Sequence, residues 1–235
     1  MKHVVHKADS RGVAEHGWLS SRHTFSFAGY HDPERMGFGL LRVINDDVVQ
    51  ASKGFGTHSH EDMEIISIPL AGELHHKDSM GNVEGITTGE VQVMSAGTGI
   101  THSEFNGSES EEVNFLQIWV MPETRGIEPR YDQKRFSTDE RQGRFQNIVS
   151  PDRNDDGIWI NQQAWFWLGD FKAGQSGTYT IGKSGNCVYL FVVEGTVSIA
   201  GEQLERRDGF GIEDAQSVDF DVIEDCQLLV MDVPV

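Results

Sequence analysis

The sequence predicts an all-β protein built from two tandem β-barrels. Short apolar or alternating segments recur along the 235 residues, separated by turns that use many of the 26 glycines. Patterns with helical spacing are few, which favours a β-sandwich or β-barrel over a mixed fold. A weak internal repeat also relates the first half of the chain to the second, so the halves are expected to be similar units.

Strand patterns run through the first half. In residues 23–27 polar and aromatic side chains alternate, as in a strand with one buried face. Residues 37–49 are predicted as two strands joined by a turn at residues 45–47, because Asn and Asp favour turns. His75 and His76 are adjacent and flanked by charge, so both are interpreted as solvated. The remaining strands of this half are predicted at 62–70, 74–78, the end of 86–94, and 114–121.

The second half begins after a polar connection. Residues 122–157 are rich in Arg, Asp and Gly, and only one short helical turn is expected there, near residues 138–142. Strand patterns then resume, at 163–168, 177–181, 188–193, 196–199 and 226–231. We therefore assign an N-terminal, metal-binding barrel to residues 1–135 and a C-terminal barrel to residues 136–235.

The repeat also indicates which unit can bind a metal. Gly72 corresponds to Gly195 at an offset of 123 residues, and this offset places Ile181 and Lys183 where the first half has two histidines. All ten histidines of the chain lie at or before residue 102. The C-terminal barrel is therefore predicted to be a degenerate copy without an imidazole-based metal site.

Composition excludes several function classes. The formal net charge is −18 and both halves are acidic, which argues against direct contact with nucleic acid or an anionic membrane. The sequence contains no stretch of 18 apolar residues, so no membrane span is expected. No apolar run follows the first residues, so no signal peptide is expected. The two cysteines, Cys187 and Cys226, lie in apolar runs and are expected to be buried free thiols. A cytoplasmic location is expected.

The candidate metal ligands come in two pairs. His58 and His60 follow a Gly-rich segment, and His102 and Glu104 follow another. Side chains two residues apart in a strand point to the same face, about 7 Å apart. If the two strands are neighbours, three imidazoles and a carboxylate can converge on one first-row transition metal.

Two glutamates compete for the fourth position. Glu64 lies four residues beyond His60, or about 13 Å along an ideal strand, so only a bend or bulge would return it to the site. Glu104 is two residues from His102 and needs no such distortion. Asp62 and Glu64 are then candidates for orienting an imidazole through its free N–H. A structural zinc site is disfavoured, because neither cysteine is near.

Two longer patterns resemble the motifs of cupins, a superfamily of small β-barrels with a jelly-roll-like fold. They run from Gly54 through His58 and His60 to Glu64, and from Gly89 to Asn106. Ser95 stands where the general motif has Pro, and the gap before the third histidine is longer. Both departures match the pirin branch, a group of bicupins. The segments that carry this closer resemblance are 16–18, 23–27, 42–47, 54–60, 78–82 and 94–104.

The resemblance implies an activity and a metal. Pirins carry one iron in the N-terminal barrel, and the ligands would fall on His58, His60, His102 and Glu104. Bacterial members are associated with quercetin 2,3-dioxygenase activity, which opens a flavonol ring with O2 and releases carbon monoxide. Fe(II) is the expected metal, although Ni, Cu, Mn and Zn accept the same ligands. Glu104 is the expected general base for the flavonol hydroxyl.

Other functions remain open at this stage. Animal pirins modulate transcription factors in a redox-dependent way, so the alternative is a non-catalytic iron protein that binds a protein partner. A cupin isomerase or epimerase acting on a sugar is a third possibility, and it would need no O2. An anaerobic assay separates the isomerase from the oxygenase, and the regulatory protein is expected to bind its partner with different affinity in the ferrous and ferric forms.

Overall fold

The computed structural model describes residues 2–235 and is nearly all-β, as predicted. The only helices in these residues are two short 3-10 turns, Ala8–Ser10 and Thr138–Arg141, the second of which falls where a helical turn is predicted. The strands of the first half are β1 (Lys2–His6), β2 (Gly12–Glu15), β3 (Leu19–His23), β4 (Leu41–Val49), β5 (Gly54–His60), β6 (Glu64–Ala71), β7 (Glu73–Asp78), β8 (Val83–Thr87), β9 (Glu90–Ser95), β10 (Ile100–Asn106), β11 (Val113–Val120) and β12 (Arg130–Arg135).

The second half forms one large sheet. Its strands are β13 (Phe145–Ser150), β14 (Ile158–Trp159), β15 (Trp165–Phe171), β16 (Ser176–Thr180), β17 (Asn186–Ile199), β18 (Glu202–Leu204), β19 (Gly209–Glu213) and β20 (Ser217–Pro234). Strands β17 and β20 are long and pair with three register shifts, which bend the sheet around its own core. The N-terminal strand β1 also belongs to this sheet, because it pairs with β19.

The N-terminal barrel consists of two facing sheets. One has the order β12-β9-β6-β11-β4-β3-β2, and the other has the order β5-β10-β7-β8. Five polar side chains lie directly opposite one another across the larger sheet and therefore share one face. We call this set the polar row, and it comprises His23, Asn45, Ser67, Gln92 and Gln117.

The C-terminal barrel has a different interior. Val188, Leu190 and Val192 of β17 point into an apolar cluster with Phe210 and Val230. The intervening β17 residues point the other way, into a second cluster that joins the two halves of the chain. The interior of the C-terminal barrel is therefore apolar. In the N-terminal barrel, the polar row occupies one face of the larger sheet instead.

The two barrels are also joined by buried charges. Arg207 of the second half donates from Nε to Asp46 Oδ2 over 2.9 Å, and Arg11 approaches the same carboxylate at 3.6 Å. All three side chains are buried. Asp46 therefore holds an interface residue in place, which explains why an acidic side chain occupies the middle of a strand.

Three sequence predictions about local structure are wrong. Residues 45–47 form no turn but lie inside the continuous strand β4, where all three are buried. The predicted strand over 23–27 is displaced, because β3 ends at His23 and Phe25 packs in the core beyond it. The polar connection 122–157 supplies β12 to the first barrel, as well as β13 to the second.

The internal repeat has a structural basis in its glycines. Gly72 and Gly195 have φ values of 78° and 87°; Gly72 lies at the bend between β6 and β7, and Gly195 lies at a register shift inside β17. A Cβ at Gly195 would lie 2.1 Å from the carbonyl oxygen of Asp225, and one at Gly72 would lie 2.8 Å from that of Glu112. Both positions therefore need glycine for its conformation and for the close approach of a neighbouring segment.

Two other expectations concern the cysteines and membranes. Cys187 and Cys226 are buried free thiols, as predicted. Within residues 2–235, no helix has the length and apolar character needed to cross a membrane. The boundary at residue 135 stays a prediction, although β12 ends there in the first barrel and β1 lies in the second.

Candidate metal centre

Strands β5 and β10 are neighbours, which brings three of the predicted ligands together. Their antiparallel register places His58 opposite His102, and His60 opposite Ile100. Ring nitrogens of His58, His60 and His102 all lie within 4.8 Å of one another. The i, i+2 spacing in the sequence thus puts the two imidazoles of β5 beside the imidazole of β10.

A hydrogen bond fixes the tautomer of His58, and a second contact shows how His60 and His102 face each other. His58 Nδ1 lies 2.8 Å from the carbonyl oxygen of Gly56, which can only accept, so Nδ1 carries the proton and Nε2 is free. Nε2 of His60 and Nε2 of His102 lie 2.9 Å apart. The Nε2 atoms therefore form the side of the cluster that a metal would approach.

Electrostatics keeps two of these rings neutral. Burial, reinforced by His58, lowers the pKa of His60 to about 4. Burial and the neighbouring imidazoles lower the pKa of His102 to about 3. Metal ligation requires the unprotonated imidazole, so these rings are ready to bind a cation at neutral pH without releasing a proton.

Glu104 lies on the same strand, beyond a register shift between His102 and Glu104 in the pairing with β5. Its carboxylate is buried and groups with His102 and His76 rather than with His58 and His60. Gln117 donates to both carboxylate oxygens at 3.3 and 3.0 Å. Burial raises the pKa of Glu104 to about 7, and the nearby carboxylate of Asp47 adds to the effect.

His76 is buried, so its interpretation as a solvated residue is wrong. The pairing of β7 with β10 places His76 opposite Glu104 and Asp78 opposite His102. Alternation along β7 turns His75 outward, where its side chain is 52% exposed, and turns His76 and Asp78 inward. The sequence carries this signal, because His76 and Asp78 are another i, i+2 pair.

The two residues expected to orient an imidazole lie elsewhere. Glu64 accepts from Ser95 Oγ over 2.8 Å and from the backbone N–H of Asn161 over 3.2 Å. Asp62 accepts from the backbone N–H of Gly126 over 2.7 Å. Glu64 thus ties the first barrel to the second half, and Asp62 anchors a loop. That expectation is wrong for both residues.

A cavity of about 480 Å³ opens in the N-terminal barrel; none of the four candidate ligands lines it, and Trp119 lies between its lining and His60. Apolar rings line it, together with polar side chains that include Asn45 and Asp47. Phe27 of this lining stacks edge-on against Trp119, which in turn stacks against His60. This volume lies within the range of small-molecule sites, about 300–1,000 Å³.

Several buried polar atoms around the cavity and the metal cluster have no hydrogen-bond partner within the described residues. They are His23 Nδ1, Asn45 Oδ1, Trp119 Nε1, and both amide atoms of Gln92. Buried polar groups are normally paired, so these unpaired groups suit a polar ligand or ordered water. Of the aromatic or sulfur side chains next to the motifs, Phe55 lines the cavity, Met94 lies in the core and Met63 packs against it.

The donor set fits a transition metal. Three imidazoles whose ring nitrogens lie within 4.8 Å of one another, with a carboxylate nearby, are typical ligands of such ions. In the described part of the chain, both groups of metal-type side chains belong to the first barrel. The fold and this centre define the class of the protein: a two-domain cupin with an imidazole-rich metal centre in its N-terminal barrel.

Comparison with known proteins gives the family. Residues 4–120 match the model of the family described as Pirin, and residues 147–233 match the Quercetinase C-terminal cupin domain. The chain belongs to the pirin family, as the sequence motifs predict.

Three relatives show how far the similarity extends. A quercetin 2,3-dioxygenase of Escherichia coli is 46% identical over 230 residues, 98% of each chain. A pirin-like protein of Caulobacter vibrioides is 40% identical, over 95% of this chain and 96% of the relative. The crystal structure of a bacterial pirin from Escherichia coli in complex with nickel(II) has a TM-score of 0.94 at 45% identity, covering 99% of both chains.

Proposed function

We propose that this protein is a metal-dependent dioxygenase that opens the ring of a flavonol with O2. The observation that carries the proposal is the convergence of the His58, His60 and His102 ring nitrogens within 4.8 Å. It occurs in a chain 46% identical, over nearly its whole length, to a relative named quercetin 2,3-dioxygenase. We assign the metal to these three imidazoles and to Glu104.

Fe(II) is the metal we propose. Imidazoles with one carboxylate and open coordination positions are typical of non-haem iron oxygenases. The same ligands accept Ni, Cu, Mn and Zn, and a nickel(II) complex of an Escherichia coli pirin supports nickel as a competitor. Metal analysis of the protein as isolated from cells tests this assignment.

The chain's own residues orient the substrate and move its proton. The aromatic lining of the cavity, including Trp18, Phe27 and Phe55, suits a flat flavonol ring. Glu104 takes the proton of the 3-hydroxyl, and the amide of Gln117 holds Glu104 in place. When bound, the metal supplies Lewis acidity and reactivity toward O2. The reaction consumes O2 and releases carbon monoxide.

The test is aerobic and anaerobic turnover of quercetin by metal-loaded protein. We expect loss of the quercetin absorbance in air, with carbon monoxide released, and no change without oxygen. Glu104→Gln keeps the shape of the side chain and removes the base, so turnover should fall by about 10²–10⁴-fold. Unchanged quercetin in air with metal-loaded protein would refute the proposal and favour a non-catalytic regulator. Turnover without oxygen of a sugar would instead indicate an isomerase.

We also infer the setting in which the protein acts. The net charge of −18 disfavours direct contact with nucleic acid. A macromolecular partner of this protein would therefore be a basic protein. Two buried free thiols suit a reducing compartment, which supports the cytoplasm. Cell fractionation and pull-down at low and high salt test these two inferences.

A further inference from the structure

The pair His76 and Asp78 lies behind His102, on the side of the ring away from the His58–His60 cluster. His76 Nδ1 lies 3.4 Å from His102 Nδ1, whereas His102 Nε2 faces His60. His76 Nε2 lies 3.0 Å from Asp78 Oδ2. These side chains form a continuous chain of contacts, from the carboxylate through one imidazole to the next.

Asp78 is held as a carboxylate by the turn that follows it. Its Oδ1 accepts from the backbone N–H groups of Met80 and Asn82, at 2.9 and 3.0 Å, and its Oδ2 accepts from Asn82 Nδ2 at 2.8 Å. Burial alone would raise the pKa of Asp78, but these hydrogen bonds and the one from His76 hold it below its usual value. Asp78 can therefore only accept from His76.

The protons then follow in one order. Because Asp78 accepts, His76 carries its proton on Nε2, and its Nδ1 has a free lone pair. His102 can approach that lone pair at hydrogen-bond distance only by donating from its own Nδ1. The proton on His102 Nδ1 leaves Nε2 unprotonated, on the face of the ring that meets His58 and His60.

We propose that His76 and Asp78 are positioning residues, which fix the tautomer and the ring plane of His102 so that its Nε2 is presented to the metal. Tyr131 supports the arrangement, because its ring lies against that of His76 with centroids 4.7 Å apart. Mutation of a residue that hydrogen-bonds to a ligating imidazole commonly lowers metal affinity by about 10–100-fold. The inference rests on the proposed ligand set but not on flavonol turnover.

His76 could instead bind a metal itself, since its ring nitrogen also groups with His102 and Glu104. The geometry argues against that role. A metal on His102 Nε2 lies across the ring from His76, and His76 Nε2 is already engaged with Asp78. A second metal would also require His102 to lose both ring protons. Metal stoichiometry distinguishes the two roles.

The first measurement is the affinity for Ni(II), obtained by competition with a coloured chelator. His76→Phe keeps a flat ring against Tyr131 and removes the acceptor, so affinity should fall by about 10–100-fold. In His76→Gln an amide oxygen can accept from His102, so much of the loss should be recovered. His75→Phe is the matched control, because His75 is the exposed neighbour on the same strand, and its affinity should stay at the wild-type value.

The second measurement needs no substitution. In zinc-loaded wild-type protein, long-range ¹H–¹⁵N spectra should show His102 protonated at Nδ1 and His76 protonated at Nε2. The opposite tautomer at either ring, wild-type affinity in His76→Phe, or a second bound metal that His76→Phe removes would each overturn the inference. Metal bound with these tautomers but without turnover of quercetin would refute the proposed function alone.

Discussion

Asp47 gives the sharpest test of the electrostatics of the first barrel. Its side chain is buried, lines the 480 Å³ cavity and accepts a hydrogen bond from Ser21. Burial raises the pKa of Asp47 from 3.8 to about 7. Asp47→Asn keeps the shape of the side chain and removes the charge, so the variant isolates the free energy of burying that charge.

The size of the effect follows from the shift in pKa. The folded protein keeps the proton of Asp47 up to about pH 7, whereas the unfolded chain loses it above 3.8. Stability therefore falls as pH rises through this window and is lowest above it. At about 1.4 kcal/mol per pKa unit, the full shift is worth about 4 kcal/mol, of which about 2 kcal/mol is lost between pH 5.5 and 7.

The assay is urea unfolding of metal-free wild type and Asp47→Asn at pH 5.5 and at pH 8.5. Since the other titrating groups are common to both proteins, the difference between their free energies of unfolding reports Asp47 together with its coupling to Glu104. We expect the variant to gain about 2 kcal/mol relative to wild type between these pH values. The same difference at both pH values would refute the reasoning.

Three further predictions concern the metal, a buried ion pair and the backbone. His58→Ala should abolish the increase in melting temperature on adding Ni(II). In wild type, Ni(II) at a hundredfold excess over Kd should stabilise the folded protein by about 2.7 kcal/mol. An unchanged increase in the variant would show that His58 is not a ligand. Arg207→Ala should lower the free energy of unfolding by about 3–5 kcal/mol in urea, because it strips Asp46 of a buried partner; a loss below about 1 kcal/mol would contradict this. Gly195→Ala should lower the free energy of unfolding by more than about 1–2 kcal/mol, which is the cost of placing alanine at a positive φ. The additional loss arises because the new Cβ would meet a neighbouring carbonyl oxygen. Gly201→Ala, at φ 85° with no such contact, should lose only the φ term, and equal losses would contradict the packing argument.

Much of the centre could be predicted from local spacing. The residues of each pair, His58 with His60 and His102 with Glu104, share a strand face because side chains alternate, whatever the rest of the chain does. Pairing of the two strands could be expected from the motifs, although the sequence gives no register. The register shift that separates Glu104 from His102 in the pairing with β5 arises from contacts between strands.

The errors share a physical cause. Polar residues are usually exposed, so Asn45, Asp47 and His76 suggested a turn or a solvated strand. In a barrel that encloses a polar site, such residues point inward, and alternation shows which residues share a face but not which face is inside. Glu64 shows a second limit, because its partner Asn161 is 97 positions away in the sequence.

The sequence by itself determined the all-β class, the two-unit organisation and the half of the chain that holds the imidazoles, since these depend on composition and on the period of each strand. Tertiary structure alone decided that His76 and Asp78 lie behind His102, and that Glu104 groups with His76 rather than with His58. Strand register and the facing of the two sheets set those neighbours, and both depend on contacts between residues far apart in the chain.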